Sequence, residues 1–147
     1  MGRNLEEIII EFEQQRQNFN DTKRSKGLTK ETLLEFETRF SNLKADIRPH
    51  IAKISAEHEK RSDKQATAIK YRIAIAIHEG RLQDEDGKQI YNECSINQAE
   101  KFASGSEKYK EFLEQKTFYK ESYVNVRDLR EDIGTFINLI KDFMKIY

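Results

Sequence analysis

The segment that decides the fold of this chain is SEKYKEFLEQKTFYKESYVNVRDLREDIGTFINLIKDFMKIY, at residues 106–147. Apolar and aromatic residues recur along it at every seventh position, and a second series lies four residues after the first. The two series include Phe112, Tyr119, Tyr123, Val126, Ile133, Ile137 and Ile140. A seven-residue repeat places these side chains on one stripe of a helix and favours a left-handed coiled coil. We predict one long amphipathic helix whose stripe forms either the core or a subunit interface.

The N-terminal half carries two further helical patterns. Apolar residues at helical spacing predict a helix over residues 5–19, and the run Lys23-Arg24-Ser25-Lys26-Gly27 predicts the loop that follows it. Thr29 is the predicted N-cap of the second helix. Pro49 lies inside that helix, and because proline lacks an amide hydrogen we expect a kink or a break near Arg48.

Residues 66–79 carry two competing patterns. Ile69, Tyr71 and Ile73 begin a strict alternation that is typical of a strand. However, Ile69, Ile73 and Ile77 also share one helix face, and the alanines of this segment favour a helix. We predict a helix, and a β-hairpin reaching to about Tyr91 is the alternative. Residues 80–88 are predicted to be a loop.

Ser95 and Gln98 predict the start of a short helix after that loop, because a serine followed three residues later by glutamine forms a capping box. With the long last helix, the elements predict an all-α fold of elongated hairpins or a bundle. We predict one helical domain over residues 1–147. It would contain an N-terminal hairpin at about 3–64 and a C-terminal helical region at about 66–147.

The composition limits the classes of protein to consider. Charged residues make up 35% of the chain and hydrophobic residues 37%, so the core is small for the length, as in elongated helices or an oligomer. The net charge is zero, so the chain as a whole has no preference for a polyanion. Cys94 is the single cysteine, and no secretory or membrane-spanning pattern is found. These features predict a cytoplasmic protein with no membrane contact.

The sequence contains no convergent set of catalytic residues, so we predict a non-enzymatic protein with no cofactor. One loop is similar to a calcium-binding loop. Asp84, Asp86 and Glu93 stand at its third, fifth and twelfth places, whereas Leu82 stands at the first, where a carboxylate is usual. We interpret this loop as an acidic turn, with calcium binding as the alternative.

Two groups of basic residues are candidates for contact with nucleic acid. The first group lies in the predicted loop at residues 23–27. The second group comprises Lys60, Arg61, Lys64, Lys70 and Arg72, with Tyr71 among them. Basic side chains bind phosphates, and aromatic rings stack on the bases of single strands. Acidic residues lie among these basic residues, so the alternative is a solvent-exposed helix face of mixed charge.

The order of features in residues 66–147 resembles a known family. Ala68-Ile69-Lys70-Tyr71-Arg72 lies on a basic helix that runs into Gly80-Arg81 and an acidic loop. A capped helix at Ser95 and a long aromatic helix follow. This layout resembles the small recombination mediator proteins of tailed phages. The resemblance implies a ring-forming helical protein that binds single-stranded DNA and helps to load a recombinase.

Within that resemblance, the second basic group would contact phosphates and the C-terminal stripe would assemble subunits into a homo-oligomer. The alternative function is a structural or adaptor protein of a phage or bacterium. Such a protein would act through helix–helix contacts with another protein and would not bind nucleic acid.

Overall fold

The computed structural model describes residues 3–147, and within that range it contains five helices. They are α1 (Leu5–Ser25), α2 (Lys30–Glu59), α3 (Asp63–His78), α4 (Ile96–Ser104) and α5 (Glu107–Ile146). Between residues 3 and 147 there is no strand, and only an isolated bridge joins Gln83 to Gln89. The predicted all-α fold with a long C-terminal helix is therefore confirmed.

Side-chain caps determine where several helices begin. The hydroxyl of Thr29 accepts the amide of Thr32 at 3.1 Å, and the hydroxyl of Ser95 accepts the amide of Gln98 at 3.2 Å. Ser62 caps α3 in the same way. Each cap satisfies an amide of the first turn that has no partner inside the helix. The predicted helix starts at Thr29 and Ser95 are confirmed.

The structure corrects two expectations about where helices end or break. Helix α1 continues through the predicted loop, so that Lys23 and Arg24 lie in its last turn. Cations are favourable there because they face the negative end of the helix dipole. Of the kink or break expected near Arg48, the break does not occur, since α2 is continuous past Pro49, and the kink stays a prediction. Full burial of Ile47 on this helix helps to offset the hydrogen bond that proline cannot make.

Residues 69–77 are helical and belong to α3, so the β-hairpin alternative is excluded. Ile73 and Ile77 are buried on one face of the helix, together with Ala66 and Ala74. The alternating pattern is misleading because its other members are not buried: Ile69 and Ile75 are only partly buried and Tyr71 is exposed.

The chain forms two compact units. Unit 1 comprises Met1–Ile54 and Ser122–Tyr147, and unit 2 comprises Ser55–Glu121. Unit 1 has an aromatic core in which α1, α2 and α5 contribute rings in mutual contact. These rings belong to Phe12, Phe19, Phe36, Phe40, Phe136 and Phe143. Four of the contacts are edge-to-face and the Phe40–Phe136 pair is stacked. Aromatic pairs of these kinds each contribute about 0.5–1.5 kcal/mol beyond the area they bury.

Unit 2 is centred on the packing of α3 against α4. Ala99 and Ala103 of α4 are fully buried beside Ile73 and Ile77 of α3. Small side chains allow the two helices to approach closely, but they bury little apolar area. Unit 2 therefore has a smaller apolar core than unit 1.

The stripe of α5 is divided between the two units. Val126, Ile133, Ile137 and Ile140 are buried in the core of unit 1. Phe112, Tyr119 and Tyr123 are only partly buried. The second half of the stripe is thus core, whereas the first half retains an accessible surface. No helix in the described part of the chain is long and apolar enough to cross a membrane.

We expect the Phe40→Ala variant to lose about 3–5 kcal/mol of unfolding free energy, because it opens a cavity in the core. Phe40 is fully buried, and its ring centroid lies 5.2 Å from that of Phe136. Phe118→Ala is the matched control, since 61% of Phe118 is exposed and its loss should change stability by about 0.5 kcal/mol or less. Urea unfolding followed by circular dichroism measures both. Equal losses in the two variants would contradict this core assignment.

Candidate nucleic-acid interface

The turn between α2 and α3 packs beside the first half of α5 in unit 2. Basic side chains from the turn and from α5 meet there with two carboxylates. We call this group the basic corner. Its members are Lys60, Arg61, Lys116, Lys120, Glu57 and Asp63. Basic side chains outnumber acidic ones in the corner, although the net charge of the whole chain is zero.

Arg61 holds the basic corner together. Its guanidinium carbon lies 4.4 Å from the centroid of the Tyr119 ring, which is the geometry of a cation–π contact. It donates to the carboxylate of Glu57 at 2.8 Å and to the side-chain oxygen of Gln115 at 3.1 Å. Only 17% of the Arg61 side chain is exposed. The donors of Arg61 are thus occupied within the chain, and its role is to position the turn.

The two carboxylates of the corner lie among several cations. The pKa of Glu57 is lowered mainly by the hydrogen bond from Arg61 and then by Lys60. The pKa of Asp63 is lowered by the hydrogen bond and charge of Lys116, with a further contribution from the charge of Lys120. A carboxyl pKa falls when nearby cations stabilise its anionic form. The cations of the corner therefore favour the anionic form of both carboxyls.

The outer face of α3 continues from the basic corner. Lys64 and Tyr71 are seven residues apart, so they lie on the same side of the helix. Tyr71 is 61% exposed, and Arg72 beside it is also exposed. Lys70 is partly buried. None of the cations Lys64, Lys70 and Arg72 forms an ion pair with residues 3–147.

The structure divides the predicted second basic group into two kinds of residue. Lys60 and Arg61 pair with Glu57 in the corner. Lys64, Tyr71 and Arg72 present two free cations and an exposed ring on α3. Ammonium and guanidinium groups bind phosphate oxygens, and an exposed ring provides a surface for an unpaired base.

Sequence reasoning did not place Lys116 and Lys120 in the site. Their spacing of four residues predicts that they are neighbours on α5. Their position beside Asp63 depends on the folding of the chain, since Lys116 and Asp63 are 53 residues apart. Lys116 interrupts the apolar stripe because it pairs with Asp63.

The loop with the calcium-like pattern has an internal role. The carboxylate of Asp84 accepts the backbone amides of Asp86 and Lys88, both at 2.9 Å. The Glu93 side chain lies against Gly80. Across residues 3–147, no group of three or more His, Cys, Asp or Glu side chains is placed to hold a metal ion. These contacts favour the interpretation as an acidic turn.

No protein-family model, curated protein or solved structure matches this chain. The geometry of the basic corner and of the outer face of α3 therefore carries the functional proposal.

We expect the carboxyl of Asp63 to titrate below its ordinary pKa, and the Lys116→Met variant to raise that pKa toward the ordinary value. The reason is that Lys116 donates a hydrogen bond to the anionic form. NMR titration of the Asp63 side chain measures both values. Lys110→Met, which removes an exposed base elsewhere on α5, should leave this pKa unchanged.

The ion pair between Asp63 and Lys116 also makes the folding stability depend on pH, in a direction that follows from the lowered pKa. A lowered carboxyl pKa favours the folded state above the ordinary pKa, and this contribution is lost as the pH falls through the lowered value. The effect is small because Asp63 is exposed to solvent. An Asp63 pKa at its ordinary value in the unmodified protein would contradict the assigned ion pair.

Proposed function

We propose that this chain is a non-enzymatic helical accessory protein that binds single-stranded DNA through the outer face of α3. The observation that carries the proposal is the exposed ring of Tyr71 on a face that also holds Lys64 and Arg72. Both cations are without a carboxylate partner in the described chain. Proteins that bind single strands combine aromatic stacking surfaces with cations that follow the phosphates.

The residues have distinct roles in this proposal. Tyr71 stacks on an unpaired base, and Lys64 and Arg72 bind the phosphates on either side of it. The basic corner next to α3 attracts the strand, with Lys60 and Lys120 at its exposed edge. A single strand is the preferred form because the bases of a duplex are stacked on one another and do not offer their faces to a ring.

The resemblance to recombination mediators of tailed phages supports a role in DNA recombination or replication. In that role the protein acts in the cytoplasm, forms a homo-oligomer and assists a recombinase. An oligomer repeats the α3 face, so that several weak contacts act on one strand and raise the overall affinity. The partly buried Phe112 on the first half of α5 is where we place the subunit contact.

A second candidate function is that of an adaptor that acts through protein contacts alone. One observation favours it, namely an apolar groove in unit 1 that is bordered by acids. This groove is compatible with the first proposal because it belongs to the other unit.

Fluorescence anisotropy with a labelled single-stranded oligonucleotide tests DNA binding. We expect binding at low salt that weakens as salt rises, because phosphate contacts release counterions. The Lys64→Ala/Arg72→Ala variant should bind at least about tenfold more weakly and show a shallower salt dependence, by about 0.7 in slope for each lost contact. Tyr71→Ala should cost about 1–3 kcal/mol of binding energy, whereas Tyr71→Phe should retain most of it.

The matched control for this test is Lys44→Ala/Lys53→Ala, which removes the same charge from exposed positions on α2. It should leave the affinity nearly unchanged. No binding at low salt, or an equal loss in the control variant, would show that the α3 face is not the DNA site.

We expect light scattering to give a mass that is a multiple of the 17.4 kDa chain. The Phe112→Glu variant should shift the mass toward one chain, because a buried carboxylate at the subunit contact is costly. Its circular dichroism should remain helical, since Phe112 is not part of the buried core. A mass of one chain for the unmodified protein would refute the assembly.

A further inference from the structure

Helices α1 and α5 leave a groove between them in unit 1. Its volume is about 250 Å³. Phe12 and Val126 lie at the floor and are almost fully buried, whereas Ile9 on the wall is 44% exposed. The lining residues are Leu5, Ile9, Phe12, Glu13, Asn125, Val126, Asp128, Leu129 and Asp132. The apolar surface that the chain leaves uncovered here belongs mainly to Ile9, together with the partly buried Leu5 and Leu129.

The rim of the groove is acidic. Asp132 makes no ion pair within residues 3–147, and Asp128 meets only the neighbouring Arg127, at 3.7 Å. Glu13 pairs with Arg16, whose guanidinium lies over the ring of Phe12. Glu6 lies on the same side of α1 as Ile9, three residues before it, and is exposed. Carboxylates thus outnumber bases around the apolar floor.

We propose that this groove docks a basic amphipathic helix of a partner protein. A large apolar side chain of that helix fills the space over Phe12 and Val126. Lysines or arginines of the partner helix, one turn away from that apolar side chain, form ion pairs with Asp128 and Asp132. Such a helix in a groove is a common mode of recognition, with apolar anchors spaced three and four residues apart.

The rim selects the class of partner. Asn125, Asp128 and Asp132 are spaced three and four residues apart, so they form a polar edge parallel to the axis of α5. A partner helix lying along α5 can match this edge with lysines or arginines at the same spacing. A nucleic acid is disfavoured because its phosphates would meet carboxylates rather than cations.

The inference is independent of DNA binding, since the groove lies in unit 1 and the proposed DNA site lies in unit 2. Variants in the groove should therefore bind single-stranded DNA normally. Failure of either proposal leaves the other intact, and the two are separated by measuring both kinds of binding on the same variants.

The test uses the full chain with labelled methyl groups and a synthetic helix-forming peptide as the probe. The peptide has leucines spaced three and four residues apart, flanked by lysines. A matched peptide replaces the lysines with glutamates. We expect the lysine peptide to shift the methyl signals of Ile9, Val126 and Leu129. The glutamate peptide should bind at least about tenfold more weakly, since its charges oppose the rim.

The Asp128→Lys/Asp132→Lys variant should weaken binding of the lysine peptide by about tenfold or more, because the rim charge is reversed. Glu35→Lys/Glu131→Lys makes the same change of charge at exposed positions of unit 1 outside the groove, and should have little effect. Equal binding of the two peptides, or shifts confined to other methyls, would overturn the proposal. Shifts that depend on protein concentration without peptide would overturn it in favour of a second copy of this chain.

Discussion

A helix of 40 residues must cover its apolar stripe, and α5 does so in two chemically different ways. In unit 1, Val126, Ile133 and Ile140 are buried among the phenylalanines of α1 and α2. In unit 2, the stripe includes Lys116 and Tyr119, which pair with Asp63 and Arg61. One end of α5 therefore stabilises an aromatic core, and the other end organises the turn that precedes α3.

This division gathers several basic side chains of a neutral chain around one turn. Arg61 is held on Tyr119 with Glu57 and Gln115, so its charge is used to fix the turn. Fixing the turn sets the start of α3, on which Lys64 is left exposed. The local excess of basic side chains, rather than the net charge of the chain, supports the proposed contact with a polyanion.

The sequence predicted the helices better than the site. The seven-residue repeat of α5 is long enough to exclude a strand, whereas the isoleucines of α3 fit both periods and only packing against α4 selects the helix. Charge patterning showed which residues are basic but not which are paired. Arg61 meets Gln115 across 54 positions of sequence, a contact that no local pattern specifies. The groove depends in the same way on α1 and α5 packing together.

The most direct test of the account is an NMR titration of the labelled chain with a short oligothymidine. We predict amide and side-chain shifts centred on Lys64, Tyr71 and Arg72, with smaller shifts around Lys120 and none in the groove of unit 1. Shifts should diminish as salt is added, because counterion release drives the phosphate contacts. An unchanged spectrum at low salt, or shifts that leave α3 unaffected, would contradict the account.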